Sequence, residues 1–262
     1  MAHVETLPNF GTPAAPRIRS ISPSDLKDAL DKGMDDFRAM PSHAVFLCLV
    51  YPIVGLVLGR LAFGYDVLPP LYPLAAGFAL VGPFAAVGLY ELSRRREQGL
   101  DAAWTHAFDV FRSPSFGAIA ALGLLLVAFF LVWVTIAQAI YVATFGYAPA
   151  ASIPNFIRDV FTTSAGWTLI LVGNGVGFLF ALVVLLVSAV SFPMLVDRPV
   201  SAAEAVTTSF RAVMANPGTM ALWGLIVAVA LALGSLPFFI GLAFVLPVLG
   251  HATWHLYRKL VI

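Results

Sequence analysis

Apolar residues in this chain come in long unbroken blocks, and the polar stretches between them repeat a pattern. Six apolar blocks fall at about 43–64, 71–92, 116–146, 165–192, 218–235 and 237–257. Crossing a bilayer takes roughly 20 residues of helix, and continuous runs favour helices over the alternating strands of a barrel. The pattern therefore predicts an all-α polytopic membrane protein with six transmembrane helices arranged as three hairpins. Block 116–146 would be about 45 Å long as one helix, against roughly 30 Å of hydrocarbon. It has to tilt, or continue above the membrane and pack against the segment 147–160. The fifth block is short, and Gly234-Ser235-Leu236-Pro237 before the sixth reads either as a tight outer turn or as a break in a helix.

The polar stretches carry the rhyme. Three amphipathic segments end in proline, at Pro41, Pro114 and Pro217, each with an arginine shortly before it, and an apolar block follows each one. In the first, Ser22-Pro23-Ser24-Asp25 supplies a helix start, because Ser or Asp there accepts orphan backbone N–H groups. Leu26, Ala29, Leu30, Gly33, Met34 and Phe37 then share one stripe. Trp104, Phe108 and Phe111 repeat the spacing in the second segment, and Ala205, Phe210 and Val213 repeat it more weakly in the third. Each segment is expected to be an interfacial helix with its apolar face down on the membrane. Its proline then breaks it or opens the next helix. The resulting organisation is a flexible tail over 1–20 and one helical membrane domain over 21–262, with repeat-like units at about 21–92, 99–192 and 200–257.

Composition agrees with this and adds an orientation. The chain is 60% apolar and 11% charged, against about 25% charged in soluble domains. A net charge of +1 hides a strong asymmetry. In a six-span arrangement every lysine and arginine except Arg60 and Arg158 falls on one side, and that bias puts both termini in the cytoplasm of a bacterial inner membrane. Apolar sequence begins too late for a cleaved signal peptide. Cys48 is the lone cysteine of the sequence, so no disulfide forms within the chain.

Residues able to carry chemistry are sparse. His251 and His255 lie one helical turn apart, which suits a metal or haem, but no glutamate follows His251 as in the hydrolytic zinc helix. His106, Asp109 or Glu91 would have to supply a third ligand. His43, at the start of the first block, reads as an interfacial hydrogen-bonding residue. Glu91 stands at pairing distance from Arg94, Arg95 and Arg96 along a helix. Pro83, Pro193 and Pro247 are candidate kinks, and Gln138 and Asn174 are candidate buried polar or gating positions, with Ser188 and Ser191 beside them. Asn174 lies within a Gly173–Gly177 stretch rich in glycine. No phosphate loop, dinucleotide fingerprint, nucleophile elbow or basic–aromatic nucleic-acid surface is present in the sequence. No cofactor and no nucleic-acid partner is expected.

Four stretches, LKDALDKGMDDFRAMP (26–41), GPFAAVGLYELSRRREQG (82–99), FPMLVDRPVSAAEAVTTSFRAVMANPGTMALWG (192–224) and LGHATWHLYRKLV (249–261), resemble the signature segments of a bacterial family. That family is domain of unknown function 2189, predicted integral membrane proteins found mainly in alphaproteobacteria. The resemblance extends over about residues 20–262 and implies an inner-membrane protein of several spans with no established activity. Some members carry the label cytochrome c oxidase subunit I. The many spaced histidines of that subunit are missing from this sequence, so the label implies no activity for it, and the family offers no catalytic residues to carry over.

The function expected from these observations is non-catalytic: an accessory or assembly partner of another membrane complex, in contact with lipids and with a membrane protein or a second copy of itself. A small-solute transporter or channel built from repeated hairpins is the alternative.

Overall fold

In a computed structural model, which describes residues 16–40, 71–147, 153–235 and 241–262, every named element is helical. The first apolar block, with His43, Cys48 and Arg60, lies outside the described residues, as does Pro41. The amphipathic helix α1 is Pro23–Ala39. The second block is a run of three pieces, α2 (Leu71–Leu80), α3 (Gly82–Ala85) and α4 (Val87–Glu97). A 3-10 helix at Trp104–Arg112 precedes α5, Phe116–Phe145. Then come α6 (Ile153–Thr162), α7 (Ser164–Ser188) and α8 (Ser191–Asp197). The last helices are α9 (Ala202–Ala215), α10 (Pro217–Ser235) and α11 (Leu242–Leu260).

Among the described residues three helical runs are long and apolar enough to cross a membrane: Phe116–Phe145, Ser164–Asp197 and Pro217–Ser235. The 30 residues of α5 form one continuous helix, and its far end packs on α6 as expected, through ring contacts of Phe156 with Tyr141 and Phe145. Proline explains two interruptions. It has no N–H for the carbonyl four residues back, and the run breaks around Val81 ahead of Pro83 and at Ala189–Val190 ahead of Pro193. At the second break the Ser209 hydroxyl of α9 accepts the Val190 N–H at 3.2 Å. Pro247 lies inside α11, which continues through it.

Helices α2, α5 and α7 meet at Trp133. Its indole N–H donates to the Pro73 carbonyl at 2.8 Å, and its ring packs at a tilt against Phe180. Gly77 and Gly177 make room for that ring, since a Cβ on them would lie 2.6 and 3.0 Å from it. The end of α10 and the start of α11 lie against each other at Gly234 and Gly241, where a Cβ on Gly241 would be 2.8 Å from the Gly234 carbonyl oxygen.

The three amphipathic segments are helical but do not share one environment. The expectation that α1 lies with its apolar face on the membrane is overturned: Leu26, Ala29 and Gly33 are buried against α11. Small side chains make this possible, as a Cβ on Gly33 would stand 2.6 Å from the Ala252 backbone nitrogen. In the second segment Trp104, Phe108 and Phe111 are exposed while Ala107 and Val110 are buried. The third does not keep its expected stripe: Ala205 and Val213 are buried in α9, but Phe210 points outward. At about 100° per residue, position 210 lies about 140° around the helix from 205 but only about 60° from 213, so Phe210 leaves the buried face at its edge.

Of the tail expected over 1–20, residues 16–20 are an extended segment tied to the other terminus. Ile18 bridges Val261, the Arg19 N–H donates to the Leu260 carbonyl at 2.9 Å, and the Ile262 N–H donates to the Arg17 carbonyl at 3.0 Å. Asn216, just before Pro217, clamps the segment. Its side-chain oxygen accepts the Ile21 N–H at 2.8 Å and its amide donates to the Arg19 carbonyl at 3.1 Å.

Candidate functional site

The chemistry-bearing residues gather at one end of the bundle, in a charged layer built around the last turns of α11. From that helix Lys259 reaches Asp25 and Asp28 of α1, at 3.2 and 2.8 Å. Arg258 reaches Glu97 of α4 at 3.1 Å and Asp197 of α8 at 3.5 Å. The Trp254 indole N–H donates to Glu97 and the Tyr257 hydroxyl donates to Asp197, at 2.9 and 2.6 Å. One helix thus cross-links the N-terminal helix and the ends of two apolar runs.

At the centre of the layer is Asp36, 2% exposed. The Ser93 hydroxyl donates to its Oδ2 at 2.6 Å, His255 Nε2 approaches the same oxygen at 2.9 Å, and Arg96 pairs with Oδ1. Because the single Ser93 proton goes to Asp36, Ser93 Oγ must accept from His251 Nδ1, 2.7 Å away. That fixes His251 as the Nδ1–H tautomer while it is neutral, inside a fully buried site. Burial alone would raise the Asp36 pKa; the hydrogen bonds from His255 and Ser93 outweigh it and hold the carboxyl below its ordinary value.

The acid that meets the two histidines is not one of the three residues expected beside them. The expected third ligands are elsewhere: His106 lies between Asp109 at 2.6 Å and Asp101 at 3.3 Å, and Glu91 is held by Arg94 through two hydrogen bonds of 2.7 and 2.8 Å. The acid that joins His251 and His255 is Asp36, and both imidazoles spend a nitrogen on this internal network. Among the described residues no group of three or more His, Cys, Asp or Glu is placed to hold a metal. The expected pairing of Glu91 with the arginines that follow it is present, with Arg95 also 3.9 Å away.

Asp36 was missed in the sequence because an acid on an apolar stripe looks like an exception. The signal is there: 26, 29, 33 and 36 keep the three-and-four spacing of one helix face.

The intramembrane candidates divide. Ser188 and Ser191 are buried and donate to the Val184 and Val187 carbonyls of their own run. Gln138 and Asn174, read as interior residues, are on exposed faces of α5 and α7, and the Asn174 amide donates to the Ile170 carbonyl at 2.8 Å. Pro193 and Pro247 are buried in packed surroundings with Phe192, Met194 and Leu249, and Pro83 is half-buried. The structure does not bring Gln138, Asn174 and the three prolines into one site.

A second feature of this end is a cleft of about 350 Å³ between the end of α4, the connection into α5 and the end of α8. Arg94, Arg95, Arg112 and Arg198 line it together with Glu91, Asp109 and Asp197. The hydrogen bond from His106 holds Asp109 below the ordinary carboxylate range.

No curated protein and no solved structure matches the chain. The model of a family described as predicted integral membrane protein (DUF2189) does match it, from α2 to the end of α8. Over residues 71–197 the chain is similar to that family, and three of its described helical runs are long and apolar enough to cross a membrane.

Proposed function

We propose that the chain is a non-catalytic, six-span protein of the bacterial inner membrane, with both termini in the cytoplasm, and that it associates within the bilayer with another membrane protein. The observation that carries the association is the outward position of Gln138 and Asn174. The Gln138 amide on the outer face of an apolar helix is costly in lipid, and a neighbouring helix able to hydrogen-bond it relieves that cost. Around Asn174 the surface is open, since a Cβ on Gly173 or Gly175 would meet nothing within 4 Å. A partner helix can therefore approach closely.

The topology rests on the charged layer. Residues 16–20, the C-terminal residues and Arg94, Arg95, Arg96, Arg198, Arg258 and Lys259 gather at the end where α5 begins, while Arg158 on α6 is by the other end of α5. With the positive-inside rule, that favours a cytoplasmic layer. Transport is the weaker reading, because the polar residues that would line a path face away from the bundle interior.

Purification of the full chain from its native membrane in mild detergent tests this. The expected result is a defined complex that Asn174→Leu and Gln138→Leu together dissociate. A wild-type chain that runs as a partner-free monomer overturns it.

A further inference from the structure

We infer that the arginine-lined cleft between α4, α5 and α8 is a binding site for the headgroup of an anionic phospholipid, with the acyl chains lying along the exposed aromatic face of the 3-10 helix. Two independent features converge there. The first is charge. Four guanidinium groups face three carboxylates; Glu91 is held within the cleft by Arg94, and the other two are engaged from outside it as well. Asp197 accepts from Tyr257 and lies 3.5 Å from Arg258, while Asp109 pairs with His106. Arg112 keeps most of its donors for a ligand. Its side chain is 89% exposed, and its carboxylate contact with Asp109 is long, at 3.7 Å. An exposed pair at that distance contributes little, so a phosphate with two or three free oxygens is a better partner for the guanidinium fork.

The second feature is apolar. Trp104, Phe108, Phe111 and Phe116 form a continuous ladder, with ring centroids 6.1, 6.2 and 5.4 Å apart along it. All four are exposed. The ladder passes Arg112, the chain neighbour of Phe111, and runs onto α5, which goes on to expose Leu124, Leu125, Leu131 and Val132. Such an aromatic surface belongs at headgroup depth, directly where the apolar run of α5 meets the charged layer. A soluble anion would use the arginines and leave the ladder unexplained. A neutral lipid would use the ladder and leave the arginines unexplained. Phosphate joined to acyl chains uses both, and a basic pocket between spans at the cytoplasmic boundary is where such headgroups bind.

Native mass spectrometry of the purified full chain, with added phosphatidylglycerol or phosphatidylcholine, tests the assignment. Wild-type protein should retain phosphatidylglycerol preferentially. Arg112→Gln should weaken that retention about tenfold, the loss of one or two charge-assisted hydrogen bonds. Because Arg112 is so exposed, this variant keeps its fold, which an unchanged circular dichroism spectrum verifies. Arg38→Gln removes the same charge from the outer face of α1 and should retain lipid like the wild type. Equal retention of the two lipids, or no difference between Arg112→Gln and Arg38→Gln, overturns the site. Complete displacement of phosphatidylglycerol by millimolar inorganic phosphate also overturns it, because the cleft would then be a site for the free anion.

Discussion

Helix α1 and the 3-10 helix at Trp104–Arg112 begin from the same sequence idea, an amphipathic segment closed by a basic residue and a proline, and they end in opposite environments. The apolar face of α1 is spent inside the protein. Its small residues, Ala29 and Gly33, let the backbone of α11 approach, and Asp36 on that same face is caught by Ser93, His255 and Arg96. The second segment buries its small residues, Ala107 and Val110, and turns its large ones outward as an aromatic ladder. Amphipathicity therefore says that a face will be buried or wetted by lipid, and side-chain size decides which. A stripe that keeps small residues such as Ala29 and Gly33 among its larger ones lets another helix dock; one whose large residues are all aromatic offers area suited to a membrane surface.

The largest expected effect comes from breaking the polar half of the α1 contact. Asp36→Ala leaves Ser93, His251 and His255 facing a cavity and Arg96 without its acid. Removing one member of a buried charged network costs about 3–5 kcal/mol. Since Arg96 is partly exposed and regains water, we expect the lower end, about 3 kcal/mol. Denaturant unfolding of the detergent-solubilised chain measures this, and limited proteolysis should show α1 as the first segment cut. Unchanged proteolysis of α1 would mean that Asp36 does not hold it.

Smaller effects should follow from the apolar halves, and here the two helices should differ. Gly33→Val drives a branched side chain into the Ala252 backbone and should cost about 1–3 kcal/mol through overpacking. Phe108→Ser on the ladder should leave unfolding stability within about 0.5 kcal/mol, since it removes an exposed ring. It should instead reduce quenching of Trp104 fluorescence by brominated acyl chains, read in a variant that retains Trp104 alone. Comparable destabilisation by both substitutions would erase the distinction drawn between the helices.

Particular residues show where the sequence was legible. Periodicity located α1 and, more loosely, α9, and an unbroken apolar run located the long α5, because both signals are local properties of the chain. The partner of an amphipathic face is not local. Nothing within residues 26–37 says that they meet Ala252, more than two hundred positions away. The same limit applied to the candidate site. His251 and His255 were visible as a pair, but choosing their acid required knowing which helix crosses them, and the nearest acids in the expected topology were the wrong ones. Glu91 and Arg94 were legible because they are three residues apart on one helix. Gln138 and Asn174 were read as interior from their rarity in apolar runs, although rarity alone gives no direction around the helix axis.

The smallest effect is the most specific in sign. Asp25 opens α1 by accepting the Ser22 backbone N–H at 2.9 Å, and this hydrogen bond, opposed by burial and aided by the Ser22 hydroxyl and Lys259, lowers its pKa to about 2. A carboxyl whose folded pKa lies below its unfolded value adds stability at pH values above the unfolded pKa. It gives that stability up as pH falls toward the folded value. For Asp25 the window runs from about pH 4 to about pH 2, and Asp36, also depressed, acts in the same direction. Hydrogen exchange of α1 should therefore stay slow down to about pH 4 and accelerate below it, after correction for the intrinsic pH dependence of exchange. Asp25→Asn should flatten that response, because an amide oxygen still accepts the Ser22 N–H but does not titrate. Acceleration already between about pH 6 and pH 5, or an unchanged response in Asp25→Asn, would mean that Asp25 does not set the window and would move the control of α1 away from its cap.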